Sequence, residues 1–484
     1  MPTPPDRALP DANRRRAMRL GARSLAGLAL AGTSEAARAL PALLALPRAV
    51  RLALHSAGID PAHCSFVLRD LHQGTALGDW QADTPRSPAS VLKLVTMYAA
   101  LNLLGPDYRW RTPVYAIDPL HNGVLAGDLG FVGSGDPHIM AQDLWRLALR
   151  LRGLGLRRIA GNIVVDRSAF NLPPHDPAQF DGQPLAPYNV GPDAFLIDFG
   201  SVQLHMDAQG GEVRAWTQPP MQGFAPRLPR LEPGPCGFPD RRLHPDFSQA
   251  LAPDLEGTWS AECGPMDWNL AALMPPNAFV QAVLGAVLRD AGIEWSGSVV
   301  SGRVPPDARL LTTWESEPLA VLVRDIDKYS NNVMAQQVFL TLALHAGLAP
   351  ADFGRAAQVV QQWLDTQGLA MPDLVLDNGC GLSRVARVSA RDLDRLLRAA
   401  WRGPLMPEFV ASLPLSGEDG TLRRRLGANL RGMLHAKTGT LDGVLGLAGY
   451  LQGEDGRRRS VVALVNDPRA QQAWPALRAL LEHA

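Results

Sequence analysis

The sequence has almost no lysine. Of its 47 basic residues, 44 are arginine and three are lysine: Lys93, Lys328 and Lys437. Where a chain this rich in arginine keeps an ammonium, the two groups need not be interchangeable, because a buried ammonium can lose its proton and a guanidinium effectively cannot. Net charge is lacking as well. The 47 acidic residues balance the 47 basic ones, which gives no support for a nucleic-acid or polyanion binder. No uninterrupted apolar run reaches about 18 residues, so no membrane-spanning helix is expected. Cysteine is scarce: Cys64, Cys236, Cys263 and Cys380 form no C-x-x-C, which weakens zinc and thioredoxin-like readings. Cys236 and Cys263 are the nearest pair, and a disulfide there fits an oxidising compartment. Unpaired buried thiols fit equally well. H-E-x-x-H and G-x-S-x-G are both missing, so metallopeptidase and α/β-hydrolase readings fail. No metal or organic cofactor is implied.

What is present suffices for a folded chain of two or three domains: 484 residues, 46% hydrophobic and 19% charged. Residues 1–46 carry Arg14-Arg15-Arg16, Arg19 and Arg23 before two short apolar stretches, Leu25–Ala31 and Leu40–Leu46. They read as an export signal, broken by charge, or as a disordered tail, and place the protein in the periplasm or otherwise outside the cytoplasm. Helices are expected at 50–57, 90–104, 276–292, 318–327, 333–345, 351–367, 389–402 and 470–481. Strands are expected at 65–70 and 75–80, and as a C-terminal meander at 432–440, 443–451 and 460–465. The stretch from about 111 to 303 has short strand-like runs and a Pro/Gly-rich irregular segment at 221–253. The expected architecture is α/β (α+β), with a discontinuous domain from 47–110 and 304–484 and an inserted β-rich region, 111–303, of two nested units.

Two of the three lysines sit in motifs that suggest chemistry, and the third lies just before another. Ser90 and Lys93, three apart at a helix start, share one face. A serine hydroxyl is a weak nucleophile that needs a base, and an apolar site near a helix N-terminus lowers a lysine's pKa. Ser330-Asn331-Asn332 lies between helices, where Ser330 can relay a proton and Asn332 can bind a substrate amide or orient Lys93. Lys437-Thr438-Gly439, followed by Thr440, lies on a strand. There Lys437 and Thr438 can hold a substrate carboxylate, and Gly439 lets substrate backbone come close. Lys328 reads either as a charge standing behind the site or as a solvated one, with the solvated reading slightly favoured. Each motif alone is weak. The ordered set S-x-x-K, S-x-N, K-T-G is the signature of penicillin-recognising serine acyl enzymes.

From about Leu52 to the C-terminus, the sequence resembles the class C low-molecular-mass penicillin-binding proteins, the D-alanyl-D-alanine carboxypeptidase/endopeptidases of the penicillin-binding protein 4 type. Further blocks carry the likeness: Leu125–Leu129, Val132–Pro137, Asp377–Arg384 and Ala436–Leu441. So does the 237-residue interval from Lys93 to Ser330, where that family holds extra domains. The resemblance implies a β-lactamase/transpeptidase-like core. Ser90 would attack the penultimate D-Ala carbonyl of a peptidoglycan stem peptide, with Lys93 as base and Ser330 relaying the proton to the leaving group. Lys437 and Thr438 would hold the terminal carboxylate, and the backbone N–H groups of Ser90 and Thr440 would form the oxyanion hole. β-Lactams would act as inhibitors on the same serine. Asp166, Phe170 and Arg384 are the best matches for residues that contact the stem-peptide side chain. Asp442 stands where some members have Gln, and an acid there disfavours a carboxylate side chain. The competing readings are a β-lactamase-like hydrolase, for which no E-x-x-L-N segment supplies a water-activating Glu, and a non-catalytic wall-binding protein.

Overall fold

Two distant parts of the chain must pair before the main sheet exists. In the computed structural model, which describes residues 46–484 apart from 234, 237–242, 244 and 273, strand Cys64–Asp70 lies between Ala76–Trp80 and the C-terminal strand Arg458–Asn466. The sheet is completed by Val444–Gln452 and, at its edge, Leu434–Leu441, and every neighbouring pair is antiparallel. The segment expected to be an export signal or tail, residues 1–46, lies outside the described residues except for Leu46.

Helices cover both faces of this sheet, which explains why its central strands are apolar almost throughout instead of alternating. Val461, Ala463 and Val465 face helices Arg48–Ser56 and Trp474–Glu482, packing with Val50, Leu54 and Leu477. Val462 and Leu464 face the other way. There the apolar helix Lys93–Leu103 and helices Leu319–Tyr329, Asn332–His345, Phe353–Thr366 and Ala390–Arg402 build the largest core, with Met97, Leu322, Phe339 and Leu396 fully buried.

The middle region builds its own cores. A five-stranded mixed sheet runs in the order Val299–Ser301, Ile163–Asp166, Leu129–Val132, Arg111–Ala116, Arg309–Glu315. Strand Arg309–Glu315 lies past residue 303, so this sheet reaches further along the chain than the sequence reading placed the insert. Two helices, Ala141–Gly153 and Pro276–Asp290, pack on it. The first is absent from the sequence reading although Leu144, Leu147, Ala148 and Leu151 repeat at helical spacing. A separate three-stranded antiparallel sheet, Glu212–Gln218, Ser201–Gln209 and Met266–Ala271, has a small core of Leu204, Met206, Val213, Leu243, Leu255 and Trp259. Cys236 and Cys263 are joined in a disulfide beside it, while Cys64 and Cys380 are free and buried.

Candidate active site

The nucleophile candidate does not lie on the α-helix expected from residue 90. Ala89–Leu92 form a 3₁₀ turn that passes into the α-helix at Lys93. Ala89 has a left-handed φ of 47°, a strained conformation for a residue with a Cβ, and it turns the chain just ahead of Ser90. Two glycines let other backbone press on this turn. A Cβ on Gly439 would stand 2.5 Å from the Pro88 carbonyl oxygen and 3.1 Å from the Ser90 nitrogen, and one on Gly381 would collide with the Ala89 carbonyl. The edge strand Leu434–Leu441 and the Asn378–Leu382 loop therefore flank Ser90 on two sides.

Lys93 gathers the site. Its Nζ lies 3.0 Å from Ser90 Oγ, 2.7 Å from Asn332 Oδ1 and 2.7 Å from the Cys380 carbonyl oxygen. The side chain is 0% exposed, and burial lowers its pKa to about 8, against the opposing pull of the Cys380 and Asp327 side chains. Lys437 is likewise 0% exposed and donates to Ser330 Oγ at 2.8 Å and to the Thr438 carbonyl at 2.9 Å. Burial first, and the nearby Lys93 charge second, lower it to about 7. Ser330 is held in a left-handed conformation (φ 59°) that closes helix Leu319–Tyr329, and Asn331 caps the next helix through Met334 N. Ser330 and Asn332 thereby reach the two different lysines. Thr438 Oγ1 sits 2.7 Å from Thr421 Oγ1, and Thr440 is exposed further along the edge strand.

Lys328 is a correction: it is buried, not solvated. Its Nζ donates to the Leu413 carbonyl at 2.9 Å and pairs with Asp419 at 2.6 Å, because the end of its helix packs against Met406–Ser412 and the turn after it. Among the described residues no hydrogen bond or ion pair joins the three residues expected at the stem-peptide side chain. Asp166 is buried, and its oxygens accept from Ser168 N at 2.9 Å and Val304 N at 3.4 Å. Phe170 is half-buried and packs over Gly135. Arg384 is exposed and stands 4.3 Å over the Phe180 ring.

Two features escaped the sequence reading. Asp327 is 0% exposed; its Oδ2 accepts from Ser412 Oγ at 3.1 Å and its Oδ1 has no partner among the described residues. Burial raises its pKa to about 6, opposed by Lys437, Ser412 and Lys93. Its signal was present: Leu319, Leu322, Val323 and Ile326 form the buried stripe of this helix, and Asp327 lies on it, four residues after Val323. The second is the segment around Phe180–Asn189, which has no periodicity to betray it. The Tyr188 carbonyl accepts from Asn332 Nδ2 at 3.1 Å, while Asp181 takes hydrogen bonds from Tyr188 Oη and Asn189 Nδ2, both at 2.8 Å. Middle-region backbone thus borders the site directly.

The chain is similar to known proteins along nearly its whole described length. It is 25% identical over 416 residues to D-alanyl-D-alanine carboxypeptidase DacB of Haemophilus influenzae, covering 84% of this chain and 86% of that one. It is 29% identical over 423 residues to a D-alanyl-D-alanine carboxypeptidase of Actinomadura sp., covering 83% and 78%. Its fold matches the crystal structure of penicillin binding protein 4 (dacB) of Haemophilus influenzae with a TM-score of 0.72, at 23% identity over 90% of this chain and 99% of that one. A second structure of that protein, complexed with a β-lactam, matches at 0.67 and covers 87% and 96%. Residues 49–482 match the D-Ala-D-Ala carboxypeptidase 3 (S13) family, so the chain belongs to that family of serine peptidases.

Proposed function

We propose that Ser90 is the nucleophile with which this D-Ala-D-Ala carboxypeptidase opens peptidoglycan stem peptides, as carboxypeptidase and DD-endopeptidase, and that penicillins acylate the same serine. The observation that carries this reading is the position of Lys93 Nζ, in contact at once with Ser90 Oγ, Asn332 Oδ1 and the Cys380 carbonyl. A neutral amine has two N–H donors and one lone pair. The two fixed acceptors take the donors, and the lone pair is left for the Ser90 proton. The Ser90 oxygen then bonds the penultimate D-Ala carbonyl carbon, and the backbone N–H groups of Ser90 and Thr440 receive the oxyanion. As the C–N bond breaks, the proton that Lys93 took from Ser90 is relayed through Ser330 to the leaving amine, which is terminal D-Ala or a cross-linked neighbour. Water then releases the acyl group.

Lys437, charged, holds the terminal carboxylate with Thr438, and Gly439 lets substrate backbone lie along the edge strand. Asn332 orients Lys93. Arg384, beside Phe180, meets the stem-peptide side chain together with Asp166 and Phe170 of the middle region. The shared main sheet and the separate cores between support a discontinuous core interrupted by an insert of two units, with the insert running on through strand Arg309–Glu315 and the core resuming after it, past the 303/304 boundary expected from the sequence. Among the described residues no helix is long and apolar enough to cross a membrane. We place the protein in the cell envelope, where its substrate is.

Incubation with a labelled penicillin, followed by intact mass over time, tests this. The wild type should carry a long-lived adduct that Ser90→Ala lacks. An adduct that vanishes as penicilloate accumulates supports a β-lactamase instead. No adduct at all supports a wall-binding protein.

A further inference from the structure

The three-stranded sheet of the middle region presents an outer face that the reaction does not use. Cross-strand register places Trp216, His205 and Asp267 in one row and Gln218, Gln203 and Asn269 in the next. Residues on the opposite face of the same strands, Leu204, Met206 and Val213, point into the small core beneath. In the first row the Trp216 and His205 rings are stacked, with centroids 5.2 Å apart and planes 13° from parallel. His205 Nδ1 lies 2.7 Å from Asp267 Oδ1, which fixes the imidazole. Trp216 remains 49% exposed. In the second row Gln218 and Asn269 are exposed and Gln203 is half-buried, and among the described residues none of the three carboxamides has a hydrogen-bond partner inside the protein.

We propose that this face binds a neutral sugar chain, the N-acetylated glycan to which stem peptides are attached. The substrate class rests on the functional reading above. The chemistry of the face points the same way. A rigid, half-exposed indole offers a flat electron-rich surface, and the C–H face of a pyranose, like the positive edge of an aromatic ring, is complementary to it. Beside it, at the spacing of two residues along a strand, a row of amides offers donors and acceptors together, which matches hydroxyls and N-acetyl groups. Charge excludes the alternatives. Among the described residues of these three rows the basic side chains are Arg214, in the next row beyond and bonded to Gln209, and His205, engaged by Asp267, which make no cationic cluster for a polyanion. Its single exposed aromatic is too small an apolar area for a protein partner. A second attachment to the glycan raises the effective concentration of stem peptides at Ser90 without touching the chemistry.

The test uses the full chain and a soluble β-1,4-linked N-acetylglucosamine hexasaccharide, titrated by calorimetry. The wild type should bind it. Trp216→Ala should weaken binding at least tenfold, and Asn269→Ala should weaken it less. Hydrolysis of a short soluble D-Ala-D-Ala peptide, which also reports a folded enzyme, should stay unchanged in both. On intact peptidoglycan, Trp216→Ala should raise KM and leave kcat alone. Absence of wild-type binding, or binding that Trp216→Ala leaves intact, overturns the proposal. The sugar titration contains no peptide bond, so it reads this surface even if the peptidase assignment fails.

Discussion

Two buried lysines close to one another are stable only if at least one can shed its proton or find a counter-charge. Here both devices are present. Burial lowers both pKa values, and Asp327 lies under the pair as a buried carboxyl. An ionised Asp327 favours both ammonium forms, so its removal lowers both lysine pKa values. On the proposed mechanism Lys93 must be neutral to take the Ser90 proton, and Lys437 must be charged to hold a carboxylate. Asp327→Asn should therefore move both limbs of the kcat/KM profile of a short peptide toward acid, by about one pH unit, or about 1.4 kcal/mol. A profile that stays in place counts against the coupling. Lys93→Arg tests the rarity of lysine itself. A guanidinium cannot serve as the base, and acylation should fall by about 10²- to 10⁴-fold in stopped-flow with a chromogenic β-lactam.

Among the elements, the edge strand Leu434–Leu441 and the turn before Ser90 are the pair whose spacing decides activity. Gly439→Ala forces a Cβ against the Pro88 carbonyl, and the strand must shift. Penicillin acylation should slow by about 100-fold, while far-ultraviolet circular dichroism stays that of the wild type. Lys328 acts through its helix. Its bonds to Leu413 and Asp419 pin the end of the segment that carries Ser330, and Lys328→Ala should cost about 2 kcal/mol in urea unfolding. These elements differ in how far the sequence reveals them. The apolar helix after Lys93 and the C-terminal meander are plain, because local periodicity and turn residues encode them. The 3₁₀ turn at Ser90 is not, because it depends on the strand and loop that press against Ala89.

For the whole molecule, the separation of cores means that damage can stay local. The small core under the three-stranded sheet is too slight to stand alone, and the Cys236–Cys263 bond staples it across 27 residues. Cys236→Ser should lower the stability of this region by about 3 kcal/mol, seen in calorimetry of the full chain as an earlier transition. Penicillin acylation should proceed at the wild-type rate. If acylation slows in step, the middle region supports the site more directly than its separate core implies.

The sequence by itself pointed to the family and to the chemistry proposed for it. The scarcity of lysine and the order S-x-x-K, S-x-N, K-T-G single out the candidate reacting groups, Lys93 and Lys437 among them, since the type of side chain and its neighbours in the chain are properties of the sequence. It left open the state of the cysteines, favoured a solvated Lys328 over one behind the site and overlooked Asp327, because protonation and pairing depend on what surrounds a group and not on what precedes it. Only the tertiary structure decided that Lys93 meets Asn332 and Cys380 across more than 200 residues, that the Tyr188 backbone borders the site, and that one sheet face carries an indole beside a row of amides. Those are contacts between segments far apart in the chain, set by register and packing, and no local pattern records them.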